Sequence, residues 1–192
     1  YQIPTVDIEL LKQIPIGAGL GGGSADAAAC ILSFNTLFDL QLSEKELLSL
    51  AGQLGADCAF FIKNKIMYVE GIGDQFTDID LDLSKYHFVV VYPNIHVSTA
   101  DAYKHVTPKK PSNNIREILA NPIETWKNEL KNDFENSVFK QHPKIEKAKQ
   151  YLYDSGAIYA SMSGSGSTVF GIFKNFPETD FESLGKNWNF RL

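Results

Sequence analysis

The chain has 192 residues, 44% apolar and 21% charged, an ordinary globular mixture long enough for one good core or two small ones. A net charge of −5 argues against a nucleic-acid surface, and no apolar run approaches the roughly 20 residues of a membrane helix. The two cysteines, Cys30 and Cys58, sit in apolar surroundings without metal-type spacing and read as buried free thiols of a reducing cytoplasm; no leader segment is read at the start.

Val6-Asp-Ile-Glu-Leu10 alternates apolar and polar residues and predicts a half-buried strand. It feeds a loop with five glycines in seven residues, Gly17 to Gly23, followed directly by Ser24. An alanine-rich run then predicts a helix over about 24–38, with Ser24 as its N-cap and Asp26 suited to the positive first turn. A second helix opens at Ser43 through a capping box with Glu46 and runs to about Gln53. Gly55 breaks it, and a short turn or helix carries Asp57 toward Phe60 and Phe61. Lys65–Glu70 reads as a strand closed by Gly71-Ile-Gly73.

A second block begins near Lys85. His87-Phe-Val-Val-Val-Tyr92 predicts a buried strand ended by Pro93-Asn94. Short helices follow at about 99–105, 113–119, 122–131 and 142–154, with Pro143 in the first turn of the last. Ile158–Ala160 and Ser167–Phe173 read as paired strands around Ser163-Gly-Ser-Gly166, and Phe181–Trp188 as a final helix. Lys104-His-Val-Thr-Pro-Lys-Lys110 reads as a solvated basic loop. The whole is an α+β chain.

The glycine loop carries the chemistry. Glycine lets the backbone bend and approach a ligand closely, and bare N–H groups leading into a helix N-terminus favour an anion. Gly17, Gly19 and Gly22 satisfy the dinucleotide pattern, with Asp39 about 20 residues on. The context is wrong for that pattern, because its ribose-binding acid should end a strand and Asp39 ends a helix. A Walker A loop needs Lys-Ser/Thr after its last glycine, and Ser24-Ala25 stands there. The third reading is P-x-x-x-G-L-G-x-x-S, filled by Pro15, Gly19, Leu20, Gly21 and Ser24. A plain glycine-rich turn before a packed helix is the bland alternative.

That third pattern resembles the GHMP small-molecule kinases. Leu54-Gly-Ala-Asp-Cys-Ala-Phe-Phe61 and Met162-Ser-Gly-Ser-Gly-Ser-Thr-Val-Phe170 resemble two further family segments, in family order, and the similarity spans most of residues 8 to 173. Ala59 departs from a usual proline and Ala25 from a common serine. The family also begins with a strand carrying a lysine and with a cytosine-holding segment, so the chain is read as lacking its N-terminal part. Lys12, in the strand feeding the loop, is not read as that lysine.

The resemblance implies a partial N-terminal catalytic domain of the ribosomal-protein-S5-domain-2-like type over 1–83 and a ferredoxin-like C-terminal domain over 84–192. It implies ATP and Mg²⁺ as cofactors. Pro15, Gly17, Ala18, Gly19, Leu20, Gly21, Gly22, Gly23, Ser24 and Ala25 would hold ATP, with Ser24 also at the metal. Asp57 would be the catalytic base, accepting a hydroxyl proton as kinase aspartates do. Thr99, Tyr103, Ser163, Gly164, Ser165 and Gly166 would face the substrate, Tyr103 stacking on a cytosine. The implied partner is a small molecule, a cytidine diphosphate-linked methylerythritol, with no nucleic acid or membrane. Mevalonate-type, homoserine or sugar acceptors are the alternatives, as is an inactive nucleotide-binding fragment.

Overall fold

The computed structural model describes residues 1–107 and 114–191. Pro108, Lys109 and Lys110 of the basic loop lie outside the described residues. Two compact units emerge: Tyr1–Ile16 with Gly21–Ile79, and Gly17–Leu20 with Asp80–Leu192.

The first unit holds helices α1 (Gly22–Leu37), α2 (Glu44–Leu54) and α3 (Cys58–Lys63) and a hairpin of β1 (Met67–Glu70) and β2 (Gln75–Asp78). The α1 helix begins two residues before the expected start, because Gly21 takes the left-handed cap conformation, φ +64°, that glycine tolerates. Ser24 is therefore its third residue and not its N-cap. The capping box of α2 forms as expected: Ser43 Oγ accepts from Glu46 N, and Glu46 Oε2 accepts from Ser43 N at 2.8 Å. Small residues let the helices approach closely. Ala51, Cys58 and Ala59 are buried against Ala27, Ile31, Leu48, Ile62 and Phe76. Cys58 is buried and Cys30 half-buried; both are free thiols.

The expected strand at Val6–Leu10 does not form; Ile8 is 62% and Leu10 61% exposed. Alternation marks a chain that could join a ladder, and no strand among the described residues offers it one.

The second unit is built on a four-stranded antiparallel sheet. Its strands are β3 (His87–Tyr92), β4 (Tyr159–Met162), β5 (Val169–Phe173) and β6 (Lys186–Arg191), in the order β4-β5-β3-β6. The helices are α4 (Thr99–His105), α5 (Ile115–Ala120), α6 (Ile123–Glu129), α7 (Glu135–Gln141) and α8 (Pro143–Asp154). Val89 and Val91 of β3 meet Ile145, Ala148 and Leu152 of α8 together with Phe173 and Phe181. Phe88, Tyr159, Phe170 and Ile172 point the other way, onto Ile118, Ile123 and Trp126. Both faces of β3 are covered, which is why it reads as a continuous apolar run.

The C-terminal segment corrects the expected final helix. A single 3₁₀ turn, Glu182–Leu184, leads into β6, which pairs with β3 along its whole length, His87↔Arg191 to Tyr92↔Lys186. The open edge of β3 offers this segment a complete ladder, and that outweighs local preference. Gly185 allows the entry: its φ is +131°, and a Cβ there would collide with Tyr92 O.

Tyr159 gives the second unit an alkaline limit. Its hydroxyl donates to Leu130 O at 3.2 Å, and burial pushes the phenol up to about 12. The folded chain thus holds a proton that the unfolded chain releases near pH 10, and stability falls as pH rises from there toward 12. About 2 kcal/mol should be lost across that window. Urea midpoints of the parent and Tyr159→Phe between pH 9 and 12 check it; the substitution should flatten this part of the decline.

Candidate active site

The glycine loop is divided between the two units. Gly17–Leu20 folds with the second, against the turn Ser163–Gly166 that joins β4 to β5. Ser163 Oγ donates to Gly19 O at 2.7 Å, Thr168 N donates to Ala18 O at 3.1 Å, and Gly166 N closes the turn on Ser163 O at 3.0 Å. Gly19 has φ +79°. A Cβ on it would stand 2.7 Å from Gly166 O and closer still to Ser163 O, so only glycine fits. Ala18 is buried, its carbonyl taken by Thr168 N. Gly17 lies against the His96 imidazole.

The same turn is tied to the segment before α4. Ser165 Oγ and Thr99 Oγ1 share a hydrogen bond of 3.1 Å, and Ser167 Oγ donates to Ile95 O. Tyr103 is 64% exposed, its ring meeting Phe134 edge-on at 4.9 Å between centroids. Thus Gly19, Ser163, Gly164, Ser165, Gly166 and Thr99, singled out separately along the sequence, form one cluster in the second unit.

Gly21–Ala25 folds with the first unit and opens α1. Among the described residues, no side chain caps this helix and its first turn holds no acid. The N–H groups of Gly22, Gly23 and Ser24 belong to the turn that has no partner within its own helix. Ala25 N closes the first helical bond onto Gly21 O at 2.9 Å. Among the described residues nothing stands within 4 Å of a Cβ built on Gly23. Gly21 is held closely by the Phe61 ring. Lys12 lies in no strand; its ammonium is ion-paired with Asp26 and stands 3.0 Å from where a Gly22 Cβ would be. Uncapped donors, helix dipole and a neighbouring cation suit a phosphate. Pro15 is half-buried ahead of the loop.

Asp57 occupies the residue before α3 in helical geometry, φ −74° and ψ −16°, and makes no side-chain cap bond. It is exposed, and the Phe60 and Phe61 rings that follow it pack edge-on against each other at 5.3 Å. Its carboxylate faces the turn after β1, where a Cβ on Gly73 would lie 3.4 Å from Oδ1. Gly73, left-handed at φ +101° beside Asp57, and His96 beside Gly17 are neighbours of these residues to which the sequence reading gave no role.

The fold is that of a two-unit α+β protein with a glycine loop leading into a helix N-terminus. A family model described as GHMP kinases N terminal domain matches residues 1–65, and one described as GHMP kinases C terminal matches residues 114–188. The 4-diphosphocytidyl-2-C-methyl-D-erythritol kinase of Bacteroides fragilis strain ATCC 25285 is 52% identical over 186 residues, covering 95% of this chain and 68% of that protein. The protein of the same name from Parabacteroides distasonis is 49% identical over 174 residues, covering 91% and 64%. A crystal structure of a 4-(cytidine 5'-diphospho)-2C-methyl-D-erythritol kinase superposes with a TM-score of 0.72 at 32% identity, over 84% of this chain and 59% of that one. A homoserine kinase from Cytophaga hutchinsonii, at 17% identity and a TM-score of 0.67 over 93% of this chain and 67% of that one, shares the fold. The chain belongs to the GHMP kinases and, within them, to the 4-diphosphocytidyl-2-C-methyl-D-erythritol kinase family. It spans about two thirds of the length of the curated relatives it matches. No helix among the described residues is long and apolar enough to cross a membrane.

Proposed function

We propose that this chain is the larger part of a cytoplasmic kinase that transfers the γ-phosphoryl group of ATP to the 2-hydroxyl of 4-diphosphocytidyl-2-C-methyl-D-erythritol, in non-mevalonate isoprenoid precursor synthesis. The observation that carries the reading is the uncapped start of α1 behind a glycine loop, in a chain half identical to kinases named for that substrate. The first-turn N–H groups of Gly22–Ser24 hold phosphate oxygens, helped by the helix dipole. Mg²⁺, when bound, would neutralise charge on the phosphates, and the Ser24 hydroxyl would be the side chain to meet it. Asp57 accepts the proton of the acceptor hydroxyl as that oxygen bonds to the γ-phosphorus. The bond from the γ-phosphorus to the bridging oxygen breaks and ADP leaves.

The test is ADP release by the full-length protein with Mg·ATP. Release that needs the cytidine substrate, and not mevalonate or homoserine, establishes the reaction. Release with another acceptor moves the substrate elsewhere in the family.

Tyr103 is largely exposed beyond its contact with Phe134, and we assign its ring to the cytosine. Base stacking is worth about 1–3 kcal/mol, so Tyr103→Ala should raise KM for the cytidine substrate by about 5- to 100-fold while KM for ATP stays put. An unchanged acceptor KM removes the stacking role.

A further inference from the structure

The Ser163–Gly166 turn sits at the end of β4, the open edge of the sheet, and a turn of serines and glycines has little rigidity of its own. Two side chains, Asn132 in the loop before α7 and Glu135 at the helix start, hold it there. Asn132 Nδ2 donates to Met162 O at 2.8 Å and to Gly164 O at 2.8 Å, bracketing Ser163. Asn132 Oδ1 accepts from Phe134 N at 3.0 Å, which fixes the amide orientation and aims both N–H groups at the turn. Glu135 Oε1 accepts from Met162 N at 2.8 Å and from Ser161 Oγ at 3.4 Å, while Oε2 takes Lys149 Nζ at 2.6 Å. The bracketed residue, Ser163, donates its hydroxyl to Gly19 O at 2.7 Å.

These bonds form one chain of fixed atoms from Asn132 through Ser163 to the glycine loop. An isolated Gly-Ser turn samples many conformations, and each costs precision in the donors beyond it. We propose that Asn132 is a positioning residue for phosphoryl transfer: its two N–H groups hold the Ser163–Gly166 turn in the geometry that fixes Gly19. The inference rests on the kinase reading above. Asn132 bonds to the turn's backbone, Gly164 O included, and among the described residues it makes no hydrogen bond to Gly22–Ser24, Asp57 or Tyr103, so it acts through the turn. Glu135 serves the same edge by occupying the Met162 N–H that β4 has no strand to pair.

Asn132→Asp in the full-length protein is the sharp variant. It keeps size and the bond to Phe134 N, but it replaces both donors with lone pairs facing two carbonyl oxygens. We expect kcat to fall roughly 10- to 100-fold, the scale of an ångström misplacement, with acceptor KM unchanged. Asn132→Ala removes the donors without the repulsion and should give a smaller fall in the same parameter. Ile145→Val, a buried change in the α8 core, serves as the comparison: it should lower Tm and leave kcat as it was.

A fall in kcat for Asn132→Asp or Asn132→Ala beyond that of Ile145→Val at equal loss of Tm supports the positioning role. Variants that lower Tm alone, or that both fail to fold, overturn it and make Asn132 a structural residue. An active parent with unaffected variants rejects the positioning role alone, whereas a parent inactive with every acceptor rejects the kinase reading and the role with it.

Discussion

Asp57→Asn is expected to lower kcat of the full-length protein by about 10²–10⁴-fold, the worth of a positioned general base, while ATP affinity is unchanged. Among the described residues its side chain caps no helix although it stands at the start of α3, and it is exposed. Asparagine therefore replaces it without a structural penalty and without the ability to take a proton. Single-turnover rates and nucleotide binding, measured together, decide the matter. Turnover within a few-fold of the parent would return Asp57 to the surface.

Gly19→Ala is expected to disable the protein by a different route. A Cβ there would drive into Ser163 O and Gly166 O, both backbone atoms that cannot swing aside. The left-handed φ of +79° adds about 1–2 kcal/mol for any non-glycine residue, and overpacking adds about 1–3. Either the loop moves off the Ser163–Gly166 turn or the second unit loses most of its margin, so a large drop in Tm should accompany loss of kcat/KM for ATP. Gly23→Ala is the contrast. Nothing described stands near its Cβ and its backbone is helical, so alanine should add up to about 1 kcal/mol of stability. If Gly19→Ala melted with the parent, the described packing of the loop would be wrong.

The sequence carried some of this plainly. Ser43 and Glu46 announced α2 through a pattern that needs only local bonds, and the all-apolar β3 announced a strand covered on both faces. Pro143 likewise marked the start of α8. What failed depended on distant partners. Val6–Leu10 had the alternation of a strand and found no ladder, while Lys186–Arg191, read as part of a helix, became a strand because β3 stood open beside it. The α7 helix escaped notice because its seven residues mix polar and apolar types without a clean period. Ser24 was misplaced as a cap because glycines rarely open a helix, and here Gly22 and Gly23 do.

The site divides along the same line. The glycine turns and Asp57 stood out as local motifs. Asn132 did not, because an asparagine in a loop reads as a turn former, and its meaning lies in carbonyls 30 and 32 residues away.

The central place of β3 in its sheet also shapes how the chain must be made. Both neighbours of β3 are encoded downstream of it, β5 beginning at Val169 and β6 at Lys186. Roughly 75 residues separate the end of β3 from the first partner, so at ribosomal speeds of about 5–20 residues per second it waits on the order of 4–15 s with both edges open. During that interval Phe88-Val-Val-Val91 is an uncharged, β-branched stretch of the kind that seeds aggregation. Chaperone cover, or slow synthesis at low temperature, would protect the new chain until β5 and β6 have both been made.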